Sequence, residues 1–189
     1  MSGFLLHLLR HGAPERTGRM MGRTDCPPTP DGIAACVDQA GTLPVETLVA
    51  SDLARARLAG EALGAVLALP LKIDPRWREL DFGDWDGRAA SELDPAALGR
   101  FWDDPDGNPP PGGERWSALT SRVAAAIDAL PARDTLVIAH GGAMRAALAV
   151  LCGFDQRQIW AFDLPYASLL SLQVWPGERR SARIVGLWP

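Results

Sequence analysis

Two apolar runs of strand length each stop at a histidine followed by glycine. Leu5-Leu6-His7-Leu8-Leu9 ends in Arg10-His11-Gly12, and Thr135-Leu136-Val137-Ile138-Ala139 ends in His140-Gly141-Gly142. Runs without polar alternation predict strands buried on both faces. Shorter apolar stretches at 47–50 and 71–73 predict two further strands, and 168–174 and 183–187 predict two near the end of the chain. Between them the apolar positions recur at helical spacing. A helix is expected over 30–40, with Thr29 as its cap and Pro30 at its first position. A second is expected to run to about 67, capped by Ser51 or Asp52, with Leu53, Leu58, Ala59, Leu63 and Val66 on its apolar face. A short helix is expected near 95–102. A longer one over 114–130 carries Leu119, Val123, Ala126, Ile127 and Leu130, and an alanine-rich helix follows His140 as far as Leu151. Alternating strand and helix predicts an α/β fold, a three-layer α/β/α sandwich with a mostly parallel central sheet.

The stretch 76–114 breaks this rhythm. It holds several acids and a Pro109-Pro110-Pro111-Gly112-Gly113 break, with Trp77, Trp85, Trp102 and Trp116 in or beside it. It is expected to be a small inserted lid region over the sheet, within a single domain spanning 1–189. Core packing is the expected role of the tryptophans, with room for at least one at a pocket mouth.

Composition narrows the function. With 47% hydrophobic residues in 189, the chain can bury a full core and is not disordered. The net charge of −4 argues against a nucleic-acid partner, which calls for a basic surface, yet leaves room for a local cationic pocket. Cys26, Cys36 and Cys152 are odd in number and lack C-x-x-C spacing, so a reduced compartment is expected, with neither a disulfide framework nor zinc. No basic leader or membrane-length apolar run is present, and a cytoplasmic protein without a membrane partner is expected.

In a parallel sheet, strand ends emerge at one edge, where α/β proteins bind ligands. His11 and His140 are therefore expected to face one pocket. Arg10 offers a planar fork of donors, glycines let the backbone approach an anion, and the helix after His140 points its positive end there. Taken singly, His11 also reads as a hydrogen-bonded structural histidine and Arg10 as a surface cation; for His7, inside its strand, the structural role is expected. Arg55, in the first turn of the second helix, opposes the helix dipole, which hints at another use, whereas Arg57 reads as solvated. Glu79, Asp81 and Asp84 offer three acids as proton donors, of which Asp81 and Asp84 are expected to hold the loop. This set suits attack on a phosphoryl group.

Four segments, Leu9-Arg10-His11-Gly12, Ser51-x-Leu53-x-Arg55-Ala56, Glu79-Leu80-x-Phe82-Gly83 and His140-Gly141-Gly142, resemble in order and separation those of the histidine phosphatase, or phosphoglycerate mutase-like, superfamily. The resemblance implies His11 as the phosphorylated nucleophile and Arg10, Arg55 and His140 as a cationic phosphate pocket. It implies Glu79 as general acid, with Gly22, Arg23 and Gly141 toward the substrate and no metal or other cofactor. A narrower likeness, to the α-ribazole phosphatases, rests on Gly22-Arg23-Thr24-Asp25 with Pro27, on the run from Glu79 to Gly87, and on Phe101-Trp102 before Pro110-Pro111-Gly112-Gly113-Glu114. Ala13, Thr17, Pro28, Asp52 and Ala59 depart from common superfamily residues and weaken a mutase reading. The expected function is a metal-free phosphomonoesterase acting on a small phosphorylated metabolite, nucleoside-like in its alcohol. The alternatives are a broad-specificity sugar or nucleotide phosphatase, a phosphoglycerate mutase, and a non-catalytic phospholigand-binding protein. The sequence leaves the oligomeric state open.

Overall fold

The computed structural model describes residues 3–189. Its strands are β1 (Phe4–Arg10), β2 (Thr47–Ala50), β3 (Leu71–Ile73), β4 (Thr135–Ala139), β5 (Leu169–Trp175) and β6 (Ser181–Trp188). They form one sheet in the order β3-β2-β4-β1-β5-β6. The first four in that order are mutually parallel, while β5 runs antiparallel to β1 and β6 antiparallel to β5. The sheet is therefore mixed, with its antiparallel pair at one side.

The helices are α1 (Pro30–Ala40), α2 (Ala54–Leu67), α3 (Pro95–Asp103), α4 (Trp116–Asp128), α5 (Gly141–Cys152) and α6 (Gln156–Ile159). Period-two alternation sorts the central strands between two cores. Leu6, Leu8, Val137 and Ala139 join Val123 of α4 and Met144 of α5, whereas Leu9, Leu136 and Ile138 join Cys36 of α1 and Ala59 and Leu63 of α2. Helices thus cover both faces, which is why β1 and β4 are mostly apolar, and the three-layer α/β/α arrangement is present. His7 is the polar exception in β1, and its Nδ1 lies 2.6 Å from Ser171 Oγ on the neighbouring β5.

Three local readings change. Neither Ser51 nor Asp52 caps α2. Leu53 occupies the cap position, and the Ala54 N–H donates to Asp25 Oδ1 at 2.6 Å, so a loop 29 residues upstream supplies the carboxylate. The helix expected over 114–130 is shorter at both ends, because Glu114 turns back to pair with Arg122 and Ala129 is the C-cap. Helix α6 and single 3-10 turns at Pro75–Trp77, Gly83–Trp85 and Ala90–Glu92 add to the expected elements. Among the described residues, no helix is long and apolar enough to cross a membrane.

Candidate active site

The pairing of β1 with β4 sets the site. Arg10 is in register with Ala139, so the next residues, His11 and His140, leave the sheet side by side with ring centroids 5.0 Å apart. Both rings are buried. His11 Nδ1 lies 2.7 Å from the Gly12 carbonyl, which can only accept, so Nδ1 carries the proton and the Nε2 lone pair is free. Gly12 permits this tight exit: a Cβ there would lie 1.9 Å from the Gly32 carbonyl oxygen of α1.

Two guanidinium groups flank the histidines. Arg10 donates through Nη1 to the Leu164 carbonyl and stacks 4.4 Å over the Tyr166 ring. Arg55 is fully buried and donates to the carbonyls of Thr24 at 2.9 Å, Met21 at 2.8 Å and Gly22 at 3.0 Å. The loop 21–24 is itself held by Asp86, which accepts from the N–H groups of Gly22 and Thr24 and from the Thr24 hydroxyl, each at 2.6 Å. Arg10 Nε, Arg55 Nε and both ring nitrogens of His140 are buried without a protein partner. Burial, then the charges of Arg55 and Arg10, hold His11 well below the ordinary imidazole pKa, against the pull of the Gly12 carbonyl. Burial and then Arg55, His11 and Arg10 do the same to His140. In this arrangement both rings are neutral at pH 7. His140 is thus an N–H donor rather than a cation, and the arginines carry the positive charge.

Glu79 approaches from the segment after β3. Its Oε1 accepts from the Leu80 N–H at 2.8 Å and its Oε2 from the Gly142 N–H, at the start of α5, at 3.1 Å. A Cβ on Gly142 would lie 2.0 Å from Glu79 Oε1, so only glycine leaves the carboxylate in place. Arg122 of α4 fixes the backbone behind it, donating to the carbonyls of Arg76, Arg78 and Glu79, each at 2.8 Å, while Glu114 pairs with its other edge. Asp81 holds the loop, accepting from the Gly83 N–H, while Asp84 is exposed.

Two adjoining cavities of about 200 and 170 Å³ share Arg10, Glu79, Phe82 and Trp102. The first contains His11 and Tyr166. The second extends past Gly141 and Gly142 toward α6. Of the residues expected to face the substrate, Gly141 lines the second cavity. Gly22 serves Arg55 through its carbonyl, and Arg23 lies toward the surface, its Nε 3.2 Å from Asp81 Oδ2. Trp77 and Trp85 are core residues, whereas Trp102 and Trp116 line the second cavity. Tyr166, Arg122, Arg145 and Trp160 escape a reading of the sequence: the first has no motif around it, and the other three gain their roles from where their side chains end. Among the described residues, no group of three or more His, Cys, Asp and Glu side chains is gathered to hold a metal ion.

Comparison with known proteins agrees with this geometry. Residues 6–185 match the family model of the histidine phosphatase superfamily (branch 1). The chain is 33% identical over 166 residues to a glucosyl-3-phosphoglycerate phosphatase of Mycolicibacterium vanbaalenii, covering 78% of this chain and 74% of that one. It is 28% identical over 188 residues to the adenosylcobalamin/α-ribazole phosphatase of Salmonella typhimurium, covering 91% of each. The solved structure of a mycobacterial glucosyl-3-phosphoglycerate phosphatase superposes with a TM-score of 0.86 at 27% identity over 97% of both chains. The chain belongs to the histidine phosphatase superfamily and is a phosphoric monoester hydrolase.

Proposed function

We propose that the chain hydrolyses a small phosphate monoester through a phosphorylated His11, and that its substrate is α-ribazole 5′-phosphate. The observation that carries the mechanism is the set of buried donors without protein partners, the His140 ring beside His11 and Nε of Arg10 and of Arg55, whose charges act on His11. Buried donors left unpaired are costly, and a phosphoryl group offers the acceptors they lack. The Nε2 lone pair forms the N–P bond as the P–O bond to the alcohol breaks. The guanidinium groups and His140 spread over the equatorial oxygens. Glu79, in its acid form, gives its proton to the departing alkoxide. A water then attacks the phosphohistidine, Glu79 takes up the proton that this water loses, and phosphate leaves a restored His11. No metal or cofactor enters these steps.

The substrate rests on the Gly22-Arg23-Thr24-Asp25 and 79–87 segments and on the relative from Salmonella typhimurium, matched along nearly the whole of both chains. The test is kcat/KM for α-ribazole 5′-phosphate beside glucosyl-3-phosphoglycerate, 3-phosphoglycerate and sugar phosphates, with His11→Ala as control. A preference of about 100-fold or more, lost in the control together with acid-labile ³²P labelling of the protein, is the expected outcome. Equal turnover across the panel would overturn the substrate, and activity persisting in His11→Ala would overturn the mechanism.

A further inference from the structure

The second cavity holds none of the unpartnered donors gathered beside His11 except through Arg10, and its walls are of another kind. Phe82, Phe101, Trp102, Trp116, Ile159 and Trp160 form them, with Glu79 and Gly142 at the end nearest the chemistry. Most of its polar groups are committed, Arg145 Nε and Arg10 Nε being the buried donors left without a protein partner. The Gln156 amide nitrogen donates to the carbonyls of Trp102 and Asp103. Arg145 donates to the carbonyls of Gly141 and Phe162, both at 3.3 Å, and its guanidinium lies 4.4 Å over the Trp160 ring. Trp160 is in turn set edge-on to Trp102 at 5.0 Å. These two indoles are large apolar groups left 43% exposed.

We infer that this cavity is the leaving-group subsite, and that it takes a flat, weakly polar aromatic ring carried by the alcohol half of the ester. The inference rests on the proposed function and adds to it the place where the ring is held and the residues, Trp160 and Arg145, that hold it. Position is the first argument: Glu79, the proposed donor to the departing oxygen, lines both cavities, so an ester centred at His11 directs its alcohol past Glu79 into the second. Volume is the second. An apolar cavity of about 150 Å³ takes up benzene, and this one measures about 170 Å³, room for a ring but not for a disaccharide-sized group. Chemistry is the third. A polyol would strand its hydroxyls against indole and phenyl faces, whereas a ring stacks on them. Trp160 is the platform, and Arg145, whose guanidinium lies over its ring, is a positioning residue that fixes its tilt.

The test uses two esters that differ only in the ring: benzimidazole ribonucleoside 5′-phosphate and ribose 5-phosphate. The wild-type enzyme is expected to favour the first in kcat/KM by about 10–100-fold, the range of one base-on-aromatic stack. Trp160→Ala should lower kcat/KM for the ring-bearing ester by a similar factor, chiefly through KM, and leave ribose 5-phosphate within about twofold. Arg145→Ala should show a weaker version of the same split, and Arg145→Lys part of the recovery. Equal kcat/KM for the two esters in the wild type, or equal losses in Trp160→Ala, would overturn the inference. If neither ester is hydrolysed and His11 takes no label, the phosphatase reading fails separately. The subsite is then decided by tryptophan fluorescence with the benzimidazole riboside alone: saturable quenching lost in Trp160→Ala sustains it, and no binding overturns it.

Discussion

Two glycines show how differently the same small change is felt. A methyl group on Gly142 would meet the tip of the Glu79 side chain, a flexible group that can swing away. Gly142→Ala should therefore leave the melting temperature within a few degrees of wild type yet lower kcat by about 100- to 1,000-fold, the scale of a displaced general acid. Gly99, inside α3, has open space where its Cβ would be. Gly99→Ala should raise stability by about 0.5–1 kcal/mol in urea unfolding, with activity unchanged. If Gly142→Ala kept full activity, the hydrogen bonds that fix the Glu79 carboxylate would have no part in catalysis.

At the scale of elements, α4 acts as a clamp. Arg122 binds the carbonyls of Arg76, Arg78 and Glu79 and the carboxylate of Glu114. Arg122→Ala leaves Glu114 and those carbonyls short of donors. It should cost about 2–4 kcal/mol of stability and lower kcat, both measurable on one preparation. Arg122→Lys should recover little of either, because an ammonium cannot reach both edges of the fork. The clamp was not legible beforehand, since helical spacing records which positions are apolar and says nothing about where a long polar side chain ends. Much else was. The unbroken apolar runs of β1 and β4 fixed two central strands, and their shared His-Gly endings put His11 and His140 at one edge. The cap of α2 misled because its carboxylate, Asp25, comes from a loop rather than from the adjacent Ser51 or Asp52. Helix α6 is too short for periodicity, though its Asp155-x-x-Gln158 capping box was there to be read. Trp160 follows directly after it, so missing that turn also hid one wall of the second cavity.

For the whole molecule, acid is the weak direction. All three histidines are buried, and desolvation is the leading cause that holds each below its ordinary pKa. The unfolded chain gains protons as the pH falls through about 6.5, while the folded chain does not until the lower native values are reached. Stability is therefore unaffected by these groups above about pH 7 and falls as the pH drops below 6.5. The slope is at most about 1.4 kcal/mol per pH unit for each histidine. Asp52 and Asp74, whose arginine partners draw their pKa values down, extend the loss below pH 4. Urea midpoints from pH 8 to 5 should stay level and then decline. A flat profile down to pH 5 would mean that the rings are protonated alike in both states.

Strand order also dictates a timetable. Of the six strands, β1, which leads into His11, leaves the ribosome before the others, yet its two neighbours, β4 and β5, begin at residues 135 and 169. At about 5–20 residues per second, β1 waits on the order of ten seconds for its first partner, an apolar ribbon with both edges bare. Meanwhile α1, β2, α2 and β3 can already assemble among themselves. The residue proposed to carry the phosphoryl group is thus synthesised well before both strands that set it in place, and no nascent chain short of β4 can hold a working pocket.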